Sequence, residues 1–341
     1  MNTAWQLTPG KGLGSLRMTT VESEPLRVGH VRVNIMANSI NARDVMVAQG
    51  QSPLPVGADI VPLSDGAGVV AEVGEGVSTF AVGDRVVLTF NPAHQNGPFE
   101  PHMATQALGE LRSGLLSRET VIEDTALVKL PDAVSFEQAA CLPCAGVTAW
   151  NALFEAGPLL PGQTVLATGT GMVSLMALQL AKAAGMRVGV TTSRESKRLR
   201  VMGMGADFTV NYRENPEWDA QVRTETAGRG ADVVLETVGP PSIARSVKAA
   251  SQGGRVMQIG LKGLEGDPLS PLDLLVGGVS VVPVMVGSRA MLERLLECVA
   301  LHGIRVPIHA RFDFDNAPHA FSAFGSTERF GKIVIAAPET N

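Results

Sequence analysis

The two halves of the chain carry different patterns of apolar and polar positions. In the first half, short β-branched and apolar runs at residues 28–36, 66–73 and 84–90 are separated by Gly/Pro-rich turns at 53–57, 74–76 and 91–101. Short strands between turns predict a mainly-β unit. An irregular stretch, 91–118, is expected to lie over the surface, as a pocket rim or a partner contact. In the second half, strand-like runs at 187–192, 205–212, 232–237, 255–259 and 279–286 alternate with helical segments. Strands alternating with helices predict a parallel sheet with right-handed crossovers.

The densest signal is residues 164–174, TVLATGTGMVS. A buried-type strand runs into a glycine turn, and a helix-like segment, 175–184, follows at once. A helix N-terminus free of side chains can bind a pyrophosphate through backbone N–H groups and the helix dipole. Gly169 suits the tight turn, and Gly171 lets the backbone approach the phosphates. Ser174 stands where a third glycine is usual and is small enough for close helix–strand packing. The pattern alone is common in a chain with 37 glycines. Its place between strand and helix makes Gly169, Thr170, Gly171, Met172 and Val173 the expected dinucleotide contacts.

A site for NAD usually has a carboxylate about 20 residues past the first glycine, on the ribose 2′-hydroxyl. Ser193 holds that place, followed by Arg194 and Lys197, and Glu195 comes only later. A hydroxyl flanked by cations suits a 2′-phosphate, so NADP(H) is the expected cofactor. The plainer reading makes Arg194, Lys197 and Arg198 a solvated helix face. A methyltransferase using the same turn would have no use for these cations. Ligands on parallel sheets bind at the carboxyl ends of strands. Val238, Gly239, Gly260 and Gly287-Ser288 follow strands and are further candidates, though each also reads as an ordinary turn residue.

Composition narrows the class. With 341 residues the chain has room for two domains, and 45% hydrophobic content supports a large core. A net charge of −5 gives no electrostatic case for nucleic acid or anionic lipid. The most apolar segment, 274–287, is too short to span a bilayer. No basic region followed by an apolar stretch opens the chain, so no secretory leader is expected. Three cysteines argue against a disulfide framework and for a reducing, cytoplasmic setting.

The order of several motifs resembles the medium-chain dehydrogenase/reductase superfamily. They are Ile40-Asn-Ala-Arg-Asp44, Asp65-Gly-Ala-Gly-Val-Val-Ala-Glu-Val-Gly74, Val82-Gly-Asp-Arg-Val86, Leu142-Pro-Cys-Ala-Gly-Val-Thr-Ala-Trp150, the glycine turn, Gly205-Ala-Asp207, Asn211-Tyr-Arg213 and Gly331-Lys-Ile-Val334. The match is best with its zinc-free, NADPH-dependent quinone oxidoreductase-like branch. The resemblance implies an α/β fold with two parts. A GroES-like mainly-β barrel domain would be formed by 1–145 and 289–341, and a doubly wound Rossmann domain by 146–288. It also implies an active site in the cleft between them, Tyr212 beside the adenosine 2′-phosphate, Gly260 and Ser288 near the cofactor, and a homodimer through the 279–286 edge.

In the zinc alcohol dehydrogenases of this superfamily the catalytic metal takes a Cys, a His-Glu pair and a second Cys. The resemblance puts Asn41, Ser64-Asp65 and Cys144 at those places. A catalytic zinc needs three protein ligands and an open position. Asn and Ser are poor substitutes, and no cysteine cluster for a structural zinc lies in 91–118, so no metal is expected. Cys141 and Cys144, formally C-x-x-C, read as small buried apolar residues. Without a Lewis acid, the easier chemistry is hydride addition to a small electrophilic acceptor, a quinone or an activated alkene or carbonyl. Asn41 is then the leading donor to the developing oxyanion, with Arg43 and Ser64 as alternatives and Asp44 and Asp65 as structural residues. The one tyrosine, Tyr212, falls in the nucleotide domain, which excludes the tyrosine proton delivery of related enoyl reductases. His94 and His102 sit in the long 91–118 segment and either enter the pocket or, on the plainer reading, are solvated loop residues. Two other functions compete: a zinc-type alcohol dehydrogenase with atypical ligands, and an NADPH-binding sensor without turnover.

Overall fold

The computed structural model describes residues 1–52, 58–261, 263 and 265–336; the turn expected at 53–57 lies outside them. Two compact units divide the chain. One takes Met1–Val147 and Gly287–Asn341, the other Thr148–Val286. These bounds differ by two residues from those implied by the resemblance, and they put Ser288 in the first unit.

The first unit begins with β1 (Asn2–Gln6), β2 (Arg17–Val21), β3 (His30–Ser39), β4 (Asp65–Val73), β5 (Arg85–Leu88), β6 (Glu119–Glu123) and β7 (Leu127–Lys129). The second unit holds β8 (Thr164–Ala167), β9 (Arg187–Thr192), β10 (Phe208–Asn211), β11 (Ala231–Glu236), β12 (Ala250–Gln258) and β13 (Ser280–Pro283). The chain then returns to the first unit with β14 (Ile308–Asp313) and β15 (Lys332–Ala336).

In the first unit β14, β15, β3, β4, β5 and β7 lie side by side, and β6 pairs with β3. The pairings are antiparallel except β14 with β15. This is the mainly-β, GroES-like half. Its core includes Val31, Val33, Ile35, Val86, Leu88 and Leu127, and a second cluster joins Trp5, Ile40, Phe314, Phe321, Ile333 and Ile335. Trp5 donates its indole N–H to the Phe314 carbonyl at 2.9 Å, tying the two ends of the chain into one body.

The stretch 91–118 departs from expectation. It does not merely cover the surface: Leu108, Leu115 and Leu116 are buried in the core. Asn91 anchors it by donating to the Met103 carbonyl at 2.7 Å. His94 is buried rather than solvated, with Nε2 3.0 Å from the Gly97 carbonyl and its ring edge-on to Phe99. His102 stays exposed, beside Glu100. Apolar residues spaced irregularly in a turn-rich segment give no periodic signal, so their burial depends on tertiary packing.

The second unit is a six-stranded sheet in the order β10-β9-β8-β11-β12-β13, every neighbour parallel. That is the doubly wound dinucleotide-binding order, with the reversal between β8 and β11. β8 is buried along its whole length, as a central parallel strand must be. On β9, Gly189 leaves room for the Phe208 ring: a Cβ there would lie 2.2 Å from it. Among the described residues, no helix is long and apolar enough to cross a membrane.

Candidate active site

The turn after β8 meets the geometric demands of a phosphate loop. Gly169 has φ +77°, a conformation that favours glycine. Its N–H donates to Thr191 Oγ1 at 2.9 Å, fixing the turn to β9. The helix Met172–Ala183 follows, capped by Gly171 without a side-chain hydrogen bond. A Cβ on Gly171 would meet nothing within 4 Å, so the first turn opens onto free space. Ser174 is fully buried and donates to the Thr168 carbonyl at 2.9 Å. The third-glycine place thus holds a hydroxyl that replaces close packing with a hydrogen bond. Thr170, Met172 and Val173 share this turn and helix start. An exposed helix N-terminus behind an open glycine fits a dinucleotide pyrophosphate.

The next strand ends bring the other cofactor candidates into register. Asn211 pairs with Thr192, and the Tyr212 N–H donates to the Thr192 carbonyl at 3.1 Å. Ser193, Arg194, Lys197 and Tyr212 therefore gather at the ends of β9 and β10, with Tyr212 41% exposed. Arg194 is the N-cap of the helix Glu195–Gly203. Glu195 is bound by Arg198 through two 2.6 Å hydrogen bonds, which hold its carboxyl below the usual range. Arg198 is thereby turned toward Glu195, with its side chain 39% exposed.

Past β11, a residue that the sequence reading missed organises the loop. Glu236 is fully buried and accepts from the Val238 N–H at 2.8 Å, the Gly239 N–H at 2.9 Å and Ser242 Oγ at 2.7 Å, and also from Ser246 Oγ. The sequence signal was an acidic residue closing an apolar strand. Gly260 packs its Cα on this loop, where a Cβ would lie 2.3 Å from the Thr237 carbonyl carbon. Ser288 is buried, and its hydroxyl accepts from the Met291 N–H at 3.3 Å as cap of the helix Arg289–His302. That capping role was not read from the sequence.

In the first unit Asn41 meets the start of β15. Asn41 is the N-cap of the helix Ala42–Ala48, and its N–H donates to Asp44 Oδ2 at 2.7 Å. Asn41 Oδ1 accepts from Lys332 Nζ at 2.6 Å. Lys332, 2% exposed, also lies 3.5 Å from Asp65 Oδ2. Asp65 accepts from Ser64 Oγ at 2.9 Å and from the Cys144 N–H at 3.4 Å. Among the described residues, Asn41 Nδ2 and Asp44 Oδ1 are buried without a hydrogen-bond partner. Burial pushes the Asp44 carboxyl up to about 6 against the pull of Arg43.

The two alternative donors are engaged elsewhere. Arg43 donates to the Leu108 carbonyl at 2.7 Å and to Glu110 at 2.6 Å, over the Phe90 ring. It fastens the 91–118 stretch. Ser64 is fully buried and spends its hydrogen on Asp65. Lys332, quoted within the Gly331-Lys-Ile-Val334 motif, was given no role from sequence.

The donor set does not match a three-ligand zinc site. Asn41 and Ser64 stand at ligand places, and an ammonium lies beside Asp65. Burial, reinforced by Asp65, pushes the Cys144 thiol up. Cys141 is buried and its thiol donates to the Glu137 carbonyl at 3.1 Å. No group of three or more His, Cys, Asp or Glu side chains among the described residues is placed to hold a metal ion.

Comparison with known proteins adds two family models and three relatives. The model of the alcohol dehydrogenase GroES-like domain matches residues 27–132, and that of the zinc-binding dehydrogenases matches residues 173–300. A zinc-type alcohol dehydrogenase-like protein of Schizosaccharomyces pombe is 35% identical over 92% of this chain and 92% of its own. The solved structure of an NAD-dependent alcohol dehydrogenase superposes with a TM-score of 0.90 and 30% identity, covering 99% of this chain and 100% of that one. A quinone oxidoreductase of Pseudomonas syringae pv. Tomato DC3000 superposes with a TM-score of 0.81 and 26% identity, covering 98% and 100%.

Proposed function

The chain belongs to the medium-chain dehydrogenase/reductase superfamily, in its quinone-oxidoreductase-like branch, and on that premise we propose that it is an NADPH-dependent, zinc-independent reductase of quinones or activated alkenes and carbonyls. One observation carries the reading. Asn41, where the zinc enzymes place a cysteine, offers a buried amide donor with no partner among the described residues. Such a donor costs free energy unless an acceptor comes to it. An acceptor oxygen gaining negative charge during reduction is the group it suits.

The remaining parts follow from the residues. Gly169, Thr170, Gly171, Met172 and Val173 hold the pyrophosphate, and Val238 and Gly260 shape the adjoining strand ends. Ser193, Arg194, Lys197 and Tyr212 take the 2′-phosphate, which favours NADP(H) over the NAD named for one structural neighbour. NADPH supplies the hydride when bound. Asn41 Nδ2 donates to the acceptor oxygen. With no Lewis acid to polarise an unactivated ketone or alcohol, the acceptor must be electrophilic already.

A homodimer is part of the same proposal. Among the described residues β13 pairs only with β12, leaving an edge. Leu272, Leu275, Val276 and Met285 are exposed in the segments around it. An apolar edge of this kind favours pairing with a second copy.

The test is a panel of quinones, enones, aldehydes and alcohols assayed with NADPH and NADH, with and without a chelator. Acceptor-dependent NADPH oxidation that survives the chelator supports the reading. Chelator-sensitive alcohol oxidation with stoichiometric zinc would replace it with the zinc-type dehydrogenase. Tight NADPH binding without turnover on any acceptor would point to a sensor.

A further inference from the structure

We propose that Lys332 is a positioning residue for the oxyanion donor, holding the Asn41 amide in one orientation and strengthening its free N–H. The inference rests on Asn41 being that donor. A lysine ammonium has three donors and no acceptor. At 2.6 Å it can face only the amide oxygen, so the Nδ2 hydrogens must point away from it. The ammonium therefore decides which way Asn41 is turned. The Asn41 backbone is held separately, by its N–H donating to Asp44 Oδ2 at 2.7 Å. With Oδ1 and backbone both fixed, the side chain presents Nδ2 without the freedom to flip.

The electrostatics act in the same direction. A charged donor on the carbonyl oxygen draws electron density from the amide nitrogen, which makes Nδ2–H a stronger donor. Lys332 is 2% exposed and Asn41 7%, so water screens this polarisation little. Lys332 is fixed from behind by Asp65 at 3.5 Å, and Asp65 by Ser64 and the Cys144 N–H. A cation thus stands one amide away from the place where negative charge would develop.

The experiment is a double-mutant cycle of Asn41→Ala and Lys332→Met, measuring kcat and KM on a quinone and on an enone, with NADPH affinity and thermal unfolding as controls. Lys332→Met is expected to lower kcat on the enone by about 10- to 100-fold with KM little changed, and less on the more electrophilic quinone. With Asn41→Ala already present, Lys332→Met should cost little more, because both act through one donor. A merely structural lysine would lower both acceptors alike and add its loss to that of Asn41→Ala. If Lys332→Met fails to fold because Asp65 is left unpaired, Asp65→Asn with Lys332→Met removes both charges and enters the cycle. A folded variant with wild-type kcat, beside an impaired Asn41→Ala, overturns the role of Lys332 and leaves the donor reading standing. An unimpaired Asn41→Ala overturns both.

Discussion

Lys332 Nζ lies 2.6 Å from Asn41 Oδ1 although 291 positions separate the two residues in the chain. Strand register produces the contact. Val334 pairs with Ser39 across β15 and β3, and the Ile40 N–H donates to the Ile333 carbonyl, which sets Lys332 opposite Asn41. A buried cation, a buried anion in Asp65 and a polarised amide are thus assembled by the pairing of one terminal strand. The neighbouring Asp44 completes the group, with an Oδ1 that accepts no hydrogen bond and lies 3.7 Å from Arg43.

Asp44 makes stability depend on pH. Desolvation raises its carboxyl from 3.8 to about 6, so the folded protein binds the proton more tightly than the unfolded chain does. Its contribution is then fully present below about pH 4 and is lost as the pH rises through about 6. At roughly 1.4 kcal/mol per unit, wild type gives up as much as about 3 kcal/mol across that window. Asp44→Asn keeps an acceptor for the Asn41 N–H and carries no charge. Urea unfolding should show the variant gaining on wild type from pH 4 to pH 7. A difference that stays constant over this range would remove the buried charge from the account.

What the sequence disclosed, and what it hid, follows from the range of the interactions. The strand, glycine turn and helix of 164–184 are local, and β8, β9 and the helix Met172–Ala183 fall within a few residues of expectation. β12 starts at Ala250, five residues before the expected 255, because Gly253 and Gly254 interrupt the apolar run that marks a strand. Lys332 stands in the Gly331-Lys-Ile-Val334 motif, where no local signal marks it for burial. Only the β3–β15 register buries it. For the same reason the expectation that 91–118 lies over the surface misses the burial of His94 and Leu108, since nothing within the segment announces the core that receives them. Asn41 could be named because its motif is local; its orientation could not, because that is set from the far end of the chain.

Glu236 should prove essential to the loop after β11. Its carboxylate serves the N–H groups of Val238 and Gly239 and the hydroxyls of Ser242 and Ser246. Glu236→Ala strands these donors, those of Gly239 and Ser246 in buried positions, and should cost about 3–5 kcal/mol in urea unfolding. Glu236→Gln keeps the amide oxygen as an acceptor and should cost about 1 kcal/mol. Hydrogen exchange at Val238 and Gly239 should accelerate in both variants, more in the alanine. Equal stability of the alanine variant and wild type would show that the loop holds itself.

The proposed preference for NADP(H) rests on the group beyond β9 and β10. Charge-assisted donors to a 2′-phosphate act on NADPH alone, so their loss is a change in selectivity and not in general affinity. Lys197→Ala with Ser193→Asp removes one donor and sets a carboxylate against the phosphate. NADPH affinity should fall about 100-fold while NADH changes little, read by quenching of protein fluorescence. Equal loss for both cofactors would place the 2′-phosphate elsewhere.

Two glycines on neighbouring elements should answer opposite questions. At Gly189 a Cβ would meet the Phe208 ring at 2.2 Å, inside the packed sheet. Gly189→Ala should therefore lower stability by about 1–3 kcal/mol through overpacking. At Gly171 a Cβ would meet nothing within 4 Å, and the backbone is extended, with φ −74°. Gly171→Val should leave the melting temperature nearly unchanged yet fill the space that a pyrophosphate needs, weakening dinucleotide binding by about tenfold or more. Thermal unfolding and titration with NADPH, run on both variants, separate the two effects. Should Gly171→Val bind NADPH as tightly as wild type, the open first turn of the helix Met172–Ala183 is not where the phosphates lie.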